Sequence, residues 1–227
     1  MPAFPPPPPG PPHSVHPQLA FDGSGIDGSL FRSVTDLARD TRWLNGPLES
    51  WTNIGLLVFA LLMVLGWWGA RKANDPRAMT TALAAPVAVV FAFAVAEVAK
   101  KLVAEVRPCR SVPHAFIVEA CPPLNDYAFP SGHSTTAAAT VAGLYLVSRR
   151  LCAVAALFAL LEGFTRVYVG AHYPHDVLGA FVLALPVAFA VSALLGRVAT
   201  PLVGRLSEGV LRPLLTSAPT RAAHAAR

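Results

Sequence analysis

Residues 80–99 read TTALAAPVAVVFAFAVAEVA, and Glu97 is the one charged side chain among these 20 residues. An α-helix rises about 1.5 Å per residue, so a run of this length covers the roughly 30 Å of hydrocarbon in a bilayer. The run has no polar stripe of the kind a water-facing helix carries. Four further apolar runs lie at residues 51–70, 131–147, 151–165 and 177–196. Those at 131–147 and 151–165 are short, and the first of them is rich in small residues (Ala137, Ala138, Ala139, Gly143), which suits helices packed closely inside a bundle. Across all 227 residues, 54% are hydrophobic and 14% charged, with a mean hydropathy of +0.50. A water-soluble globule is the poorer expectation on this composition. The fold class predicted is all-α: a polytopic membrane helical bundle of about five transmembrane helices with an N-terminal amphipathic helix.

That N-terminal helix is read from Leu30, Val34, Leu37, Thr41 and Leu44, which fall at helical spacing, with Arg32, Asp36, Arg39 and Asp40 elsewhere on the wheel. Too charged to span, the segment 18–50 either lies in the membrane interface or packs on the bundle, and Trp43 and Trp51 suit headgroup depth. Ahead of it, residues 1–17 form a disordered proline-rich tail, with unbroken proline at positions 5–9. The membrane domain is assigned to 51–196 and a basic cytoplasmic tail to 197–227. The formal charge of +5 does not mark a nucleic-acid partner, because the basic residues punctuate apolar runs. Arg71, Lys72 and Arg77 follow the first run, Arg149 and Arg150 separate the third and fourth, and Arg197, Arg205, Arg212, Arg221 and Arg227 follow the fifth. The positive-inside rule puts these three zones on the cytoplasmic side, so residues 100–130 and 166–176 face outward together.

Those two outward segments, with the residues that start the third run, hold the chain's chemistry. Lys100 and Arg107 are seven apart, which on a continuous helix returns to one face within about 20°. Pro130 is expected in the first turn of the third helix, leaving the amides of Ser131, Gly132 and His133 free to bind an anion at the positive end of the helix dipole. Pro174 is expected to start the fifth helix, with Asp176 in its first turn, able to hold one nitrogen of His172 and leave the other as nucleophile or base. Glu97 and Glu162, three residues before Lys100 and four before Arg166, are read as carboxylates that orient those cations. His175 has no partner at a recognisable spacing and is read as structural. A metal on His133, His172, His175 and Asp176 would be crowded by Lys100, Arg107 and Arg166, three cations that instead fit a phosphate.

The three patches KKLVAEVRP (100–108), PSGH (130–133) and TRVYVGAHYPHD (165–176) resemble the signature of the type 2 phosphatidic acid phosphatase superfamily, shared with vanadium haloperoxidases and bacterial acid phosphatases. Thr165 stands where that family usually has serine. The resemblance implies a metal-independent phosphatase with no cofactor. In it His172 is the nucleophile, Asp176 orients it and His133 protonates the leaving oxygen, while Lys100, Arg107 and Arg166, with the amides near Ser131 and Gly132, hold the phosphoryl oxygens. A site at the outward ends of membrane helices implies a lipid phosphate or diphosphate substrate. The layout, with Leu44-Asn45 and Leu48-Glu49-Ser50 before the first span, resembles the bacterial undecaprenyl-diphosphatase branch, which implies a bacterial plasma membrane and an active site on its extracytoplasmic face. Phosphatidylglycerol phosphate, phosphatidic acid or a polyprenyl-phosphate sugar phosphate are alternative substrates; lipid binding or translocation without turnover is the alternative of another class. Cys109 and Cys121 share the first outward loop, where oxidation is permitted, and are expected to form a disulfide that steadies Arg107, while Cys152 stays free near the cytoplasmic side.

Overall fold

A computed structural model describes residues 21–217, and the proline-rich tail assigned to 1–17 lies outside them. Ten helices and no strand occur among the described residues. Two N-terminal helices, α1 (Ser24–Asp40) and α2 (Arg42–Ile54), precede the five bundle helices. These are α3 (Leu56–Ala73), α4 (Pro76–Val103), α6 (Gly132–Val147), α7 (Arg149–Tyr168) and α8 (Pro174–Val198). One turn, α5 (Pro108–Ser111), sits in the α4–α6 loop, and α9 (Thr200–Leu206) and α10 (Arg212–Leu215) close the described chain. The bundle helices overrun several of the apolar runs because their end turns are polar. Asp75 caps α4, its carboxylate accepting from the amides of Arg77 and Ala78 at 3.0 and 3.2 Å, with Pro76 in the first turn. Ser148 caps α7 in the same way.

Helix α6 stands at the centre, packed on α4, α7 and α8. The core is built of small side chains: Ala88, Ala92, Ala138, Ala139, Ala184 and Ala188 meet across α4, α6 and α8. Large side chains point outward instead, as at Leu61, Val90, Leu157, Leu160 and Val182. A soluble protein reverses this pattern; here hydrocarbon is the solvent, and close approach of backbones supplies the packing energy. At Gly143 of α6 an added Cβ would stand 2.9 Å from the Cβ of Ala85 on α4, so only glycine allows this approach. Among the described residues, four segments are long and apolar enough to cross a membrane: Leu56–Ala73, Pro76–Ser111, Arg149–Tyr168 and Pro174–Val198. With the shorter, 16-residue α6 enclosed among them, the chain is a multi-pass membrane protein of the expected architecture.

Two local expectations are corrected. The amphipathic segment is not one helix to Leu44: it starts at Ser24 and breaks at Thr41, whose backbone (φ −110°, ψ 48°) is not helical. Its bundle-facing residues are Phe31, Thr35 and Ala38, all fully buried, whereas Leu30 and Leu37 are about half exposed. The segment therefore packs on α7 and α8 and turns its leucine stripe outward. Secondly, α4 ends at Val103, with Ala104 in the left-handed region (φ 51°), so Lys100 and Arg107 do not share a helix face. The described residues that follow α8, up to 217, pack back on the bundle. Val203 and Leu215 are buried with Ala70, Met79 and Ala82, and the Arg71 guanidinium donates to the Pro213 carbonyl at 2.7 Å.

Candidate active site

The C-terminal ends of α4 and α7 and the N-terminal ends of α6 and α8 converge at one end of the bundle, opposite the turns that carry Arg71, Arg149 and Arg197. Between them opens a cavity of about 360 Å³ lined by Lys100, Arg107, Gly132, His133, Arg166 and His172, together with Leu56, Phe93, Glu97, Glu119, Pro122, Asp126 and Thr136. Of the eight residues predicted for the site, six face this space. Asp176 and Ser131 stand behind it, both fully buried.

His172 is 2% exposed and held from two sides. Its Nδ1 lies 3.2 Å from Asp176 Oδ2, and its Nε2 lies 2.8 Å from the Arg107 Nη1, which can only donate. Nε2 is therefore the bare nitrogen and Nδ1 carries the proton. Asp176 is in the first turn of α8, as expected, and the same Oδ2 also accepts from the Tyr173 amide at 2.8 Å. The loop bringing His172 here folds back so that the amides of Ala171 and His172 both donate to the Arg166 carbonyl. Its turn needs Gly170, at φ +82°, where a side chain would also strike Ile117. Burial first, and then the charges of Arg107, Arg166 and Lys100, hold the imidazole well below its ordinary value near 6.5. Histidine ¹⁵N NMR in detergent at about pH 6 should accordingly find His172 neutral, with Nε2 unprotonated. An imidazolium signal for this residue would contradict the arrangement.

Pro130 precedes α6 rather than occupying its first turn; Ser131 is the cap, its hydroxyl facing the Ser134 amide at 3.4 Å. The Ser131 amide is not free, since it donates to the Asp176 carbonyl at 3.2 Å. Gly132 and His133 are the first-turn residues that line the cavity, and a Cβ on Gly132 would stand 3.8 Å from Lys100 Nζ. Ser131 thus ties α6 to α8 in place of the expected anion contact.

Each cation rests on a carboxylate. Lys100 Nζ is 3.1 Å from Glu97, as the spacing predicted, and 3.8 Å from Asp126. Arg107 donates to Asp126 Oδ1 at 2.8 Å and to the carbonyls of Asp126 and Ala171. Arg166 lies against both oxygens of Glu119, at 2.8 and 3.1 Å. The last pairing corrects the expectation for Glu162, whose buried carboxylate has neither oxygen hydrogen-bonded. Glu119 and Asp126 went unread in the sequence because both lie in the α4–α6 loop, where no periodicity assigns partners. The Cys109–Cys121 disulfide joins the two arms of that loop, as expected.

His175 is also corrected. It has partners, and they come from far along the chain: Nδ1 is 2.8 Å from Asp27 of α1, and Nε2 is 2.8 Å from Glu105. Glu105, His175 and Asp176 present their ligand-type atoms within 4.8 Å of one another.

A helical membrane bundle with three cations and an oriented, bare histidine nitrogen in one cavity defines a class of integral-membrane phosphate-handling protein. The chain belongs to the PAP2 superfamily, whose family model matches residues 81–199, and is thus a PAP2 membrane lipid phosphatase. It is 28% identical over 195 residues to the undecaprenyl-diphosphatase BcrC of Bacillus subtilis (strain 168), covering 84% of this chain and 96% of that protein. The lipid A 1-phosphatase of Rhizobium etli is 34% identical over 138 residues, which are 55% of this chain and 59% of that one. The crystal structure of Aquifex aeolicus LpxE superposes with a TM-score of 0.58 at 20% identity, covering 73% of this chain and 94% of that one, a likeness of fold.

Proposed function

We propose that this protein removes the terminal phosphate of a polyprenyl (undecaprenyl-type) diphosphate through a phosphohistidine on His172, without a metal. The observation that carries the reading is the bare Nε2 of His172 facing a cavity with Lys100, Arg107 and Arg166. Nε2 attacks the terminal phosphorus in line, the bond to the bridging oxygen breaks, and the lipid monophosphate departs. Arg107 moves its Nη1 donor from Nε2 to a phosphoryl oxygen. The three cations, with the first-turn amides of α6, stabilise the equatorial charge. His133 protonates the leaving oxygen where that is needed, then takes the proton of the water that cleaves the N–P bond. The phosphate displaces Glu97, Glu119 and Asp126 from the cations. Those carboxylates keep the empty cavity from accumulating positive charge.

Phe93 lines the cavity and is also 41% exposed on the outer surface of α4, which supports a phosphate carried on a lipid rather than on a soluble ester. The near full-length match to an undecaprenyl-diphosphatase supports the diphosphate among the lipid candidates. By the positive-inside rule the cavity faces the extracytoplasmic side of a bacterial plasma membrane. Phosphatidylglycerol phosphate, phosphatidic acid and polyprenyl-phosphate sugar phosphates are the competing substrates, and binding without turnover is the competing class. Phosphate release by the purified protein across these lipids is the test. Undecaprenyl diphosphate should give at least about tenfold higher kcat/KM than the monoesters. EDTA should leave the rate unchanged, and vanadate should inhibit as a five-coordinate mimic. A rate lost with EDTA and restored by zinc or magnesium would end the metal-free mechanism. Absence of release from every lipid would favour binding without turnover.

A further inference from the structure

Asp27, His175 and Glu105 form a chain directly behind Asp176, with Glu105 fully buried and the other two partly exposed, and neither the phosphate site nor the reading above uses it. A neutral imidazole has one donor, yet His175 places a carboxylate 2.8 Å from each of its nitrogens, Asp27 Oδ1 at Nδ1 and Glu105 Oε1 at Nε2. With both carboxylates ionised, both nitrogens must donate, and the ring is an imidazolium. Its faces agree: the Tyr173 ring stacks on it at 5.2 Å and the Phe129 ring at 6.2 Å, electron-rich surfaces that favour a cation. Glu105 and Asp176 are both fully buried, with Glu105 Oε2 and Asp176 Oδ1 lacking any hydrogen bond. Two carboxylates sharing so dry a space repel, and a positive charge beside them offsets that repulsion. His175 Nε2, 3.6 Å from Asp176 Oδ1, is that charge.

We infer that His175 and Asp27 are positioning residues: the His175 imidazolium, held by Asp27 of the N-terminal helix, keeps Asp176 an anion and so fixes the tautomer of His172. The inference rests on the assignment of His172 as nucleophile. It makes α1, which lies outside the family-matched residues 81–199, part of the catalytic apparatus. Two further contacts tie the N-terminal segment here. The Val106 amide donates to the Phe21 carbonyl at 2.9 Å, and Gly23 packs so tightly on Glu105 and His175 that no Cβ fits. If Asp176 were protonated it would lose its hold on the Nδ1 proton, and the tautomer with bare Nε2 would no longer be selected.

The test uses the full-length protein in detergent with Asp27→Asn and His175→Gln, each checked for monodisperse elution. Asp27→Asn, an isosteric change at a partly exposed residue, serves if His175→Gln does not fold. On undecaprenyl diphosphate each should lower kcat about 10- to 100-fold with KM within about twofold, and the double variant should be no slower than the slower single one. Histidine ¹⁵N NMR at about pH 7.5 should show both His175 nitrogens protonated in the native protein, and Asp27→Asn should shift the His172 Nδ1 proton. A native protein that turns over none of the lipids would end the functional reading while leaving the NMR comparison to decide this inference. A His175 ring with one bare nitrogen, or variants with native kcat and an unmoved His172 signal, would overturn it. A divalent cation that shifts the His175 resonance and is needed for activity would overturn it in favour of a metal on Glu105, His175 and Asp176.

Discussion

Replacing His172 with alanine lowers phosphate release from lipid diphosphates and monoesters alike, by more than about 10⁴-fold. The expectation follows from Nε2, the one atom in the cavity with both a lone pair facing the cations and a proton fixed on the far side of its ring by Asp176. Its removal leaves Lys100, Arg107 and Arg166 to bind phosphate with nothing to attack it, so substrate affinity should survive within about tenfold while turnover does not. The lipid substrate would remain uncleaved, and the base-stable, acid-labile phosphoprotein formed by the native enzyme in a rapid quench should be missing. Substantial turnover by the variant on either substrate class would mean that water attacks directly, with His172 only a base.

Much of this site was legible before any coordinates because its residues are fixed by helix ends. Asp176 had to be in a first turn after Pro174, and it is, accepting the Tyr173 amide while holding His172. Glu97 to Lys100 was readable for the same reason, since spacing on a helix fixes distance. The failures cluster where the chain leaves helices. Helix α4 ends at Val103, so the seven-residue spacing of Lys100 and Arg107 holds in the sequence but not in the geometry; the two meet through Asp126 instead. Glu162 illustrates the opposite error. It has the right helical spacing to Arg166, but the guanidinium found a two-oxygen partner in Glu119 across the loop. His175 failed for distance in sequence, its Asp27 partner being 148 residues away. The leucine stripe of α1 has a sound helical period, but the period alone does not say which way it faces: the large apolar residues turn outward, and Phe31, Thr35 and Ala38 face the bundle.

His133 should separate the two substrate classes where His172 does not. It lines the same cavity as His172, in the first turn of α6, and the proposed mechanism assigns it the leaving oxygen rather than the attacking atom. A lipid monophosphate leaving from a diphosphate is already a stable anion near neutral pH and needs little protonation as its bond breaks. A lipid alkoxide leaving from a monoester needs nearly a full proton. General-acid help therefore contributes more to the monoester reaction, and typical values for such help are about 10²–10⁴-fold. His133→Asn should slow phosphatidic acid or phosphatidylglycerol phosphate by roughly that factor and undecaprenyl diphosphate by about tenfold or less, the remainder reflecting its second role toward water. Asparagine keeps a donor of similar reach, so binding should change little on either. The comparison requires that the native protein turn over both classes and that chemistry limit kcat, which the absence of a burst of released lipid in rapid mixing with excess substrate would check. Equal losses on both substrates would remove His133 from leaving-group protonation and assign it to hydrolysis of the phosphohistidine, the step the two reactions share.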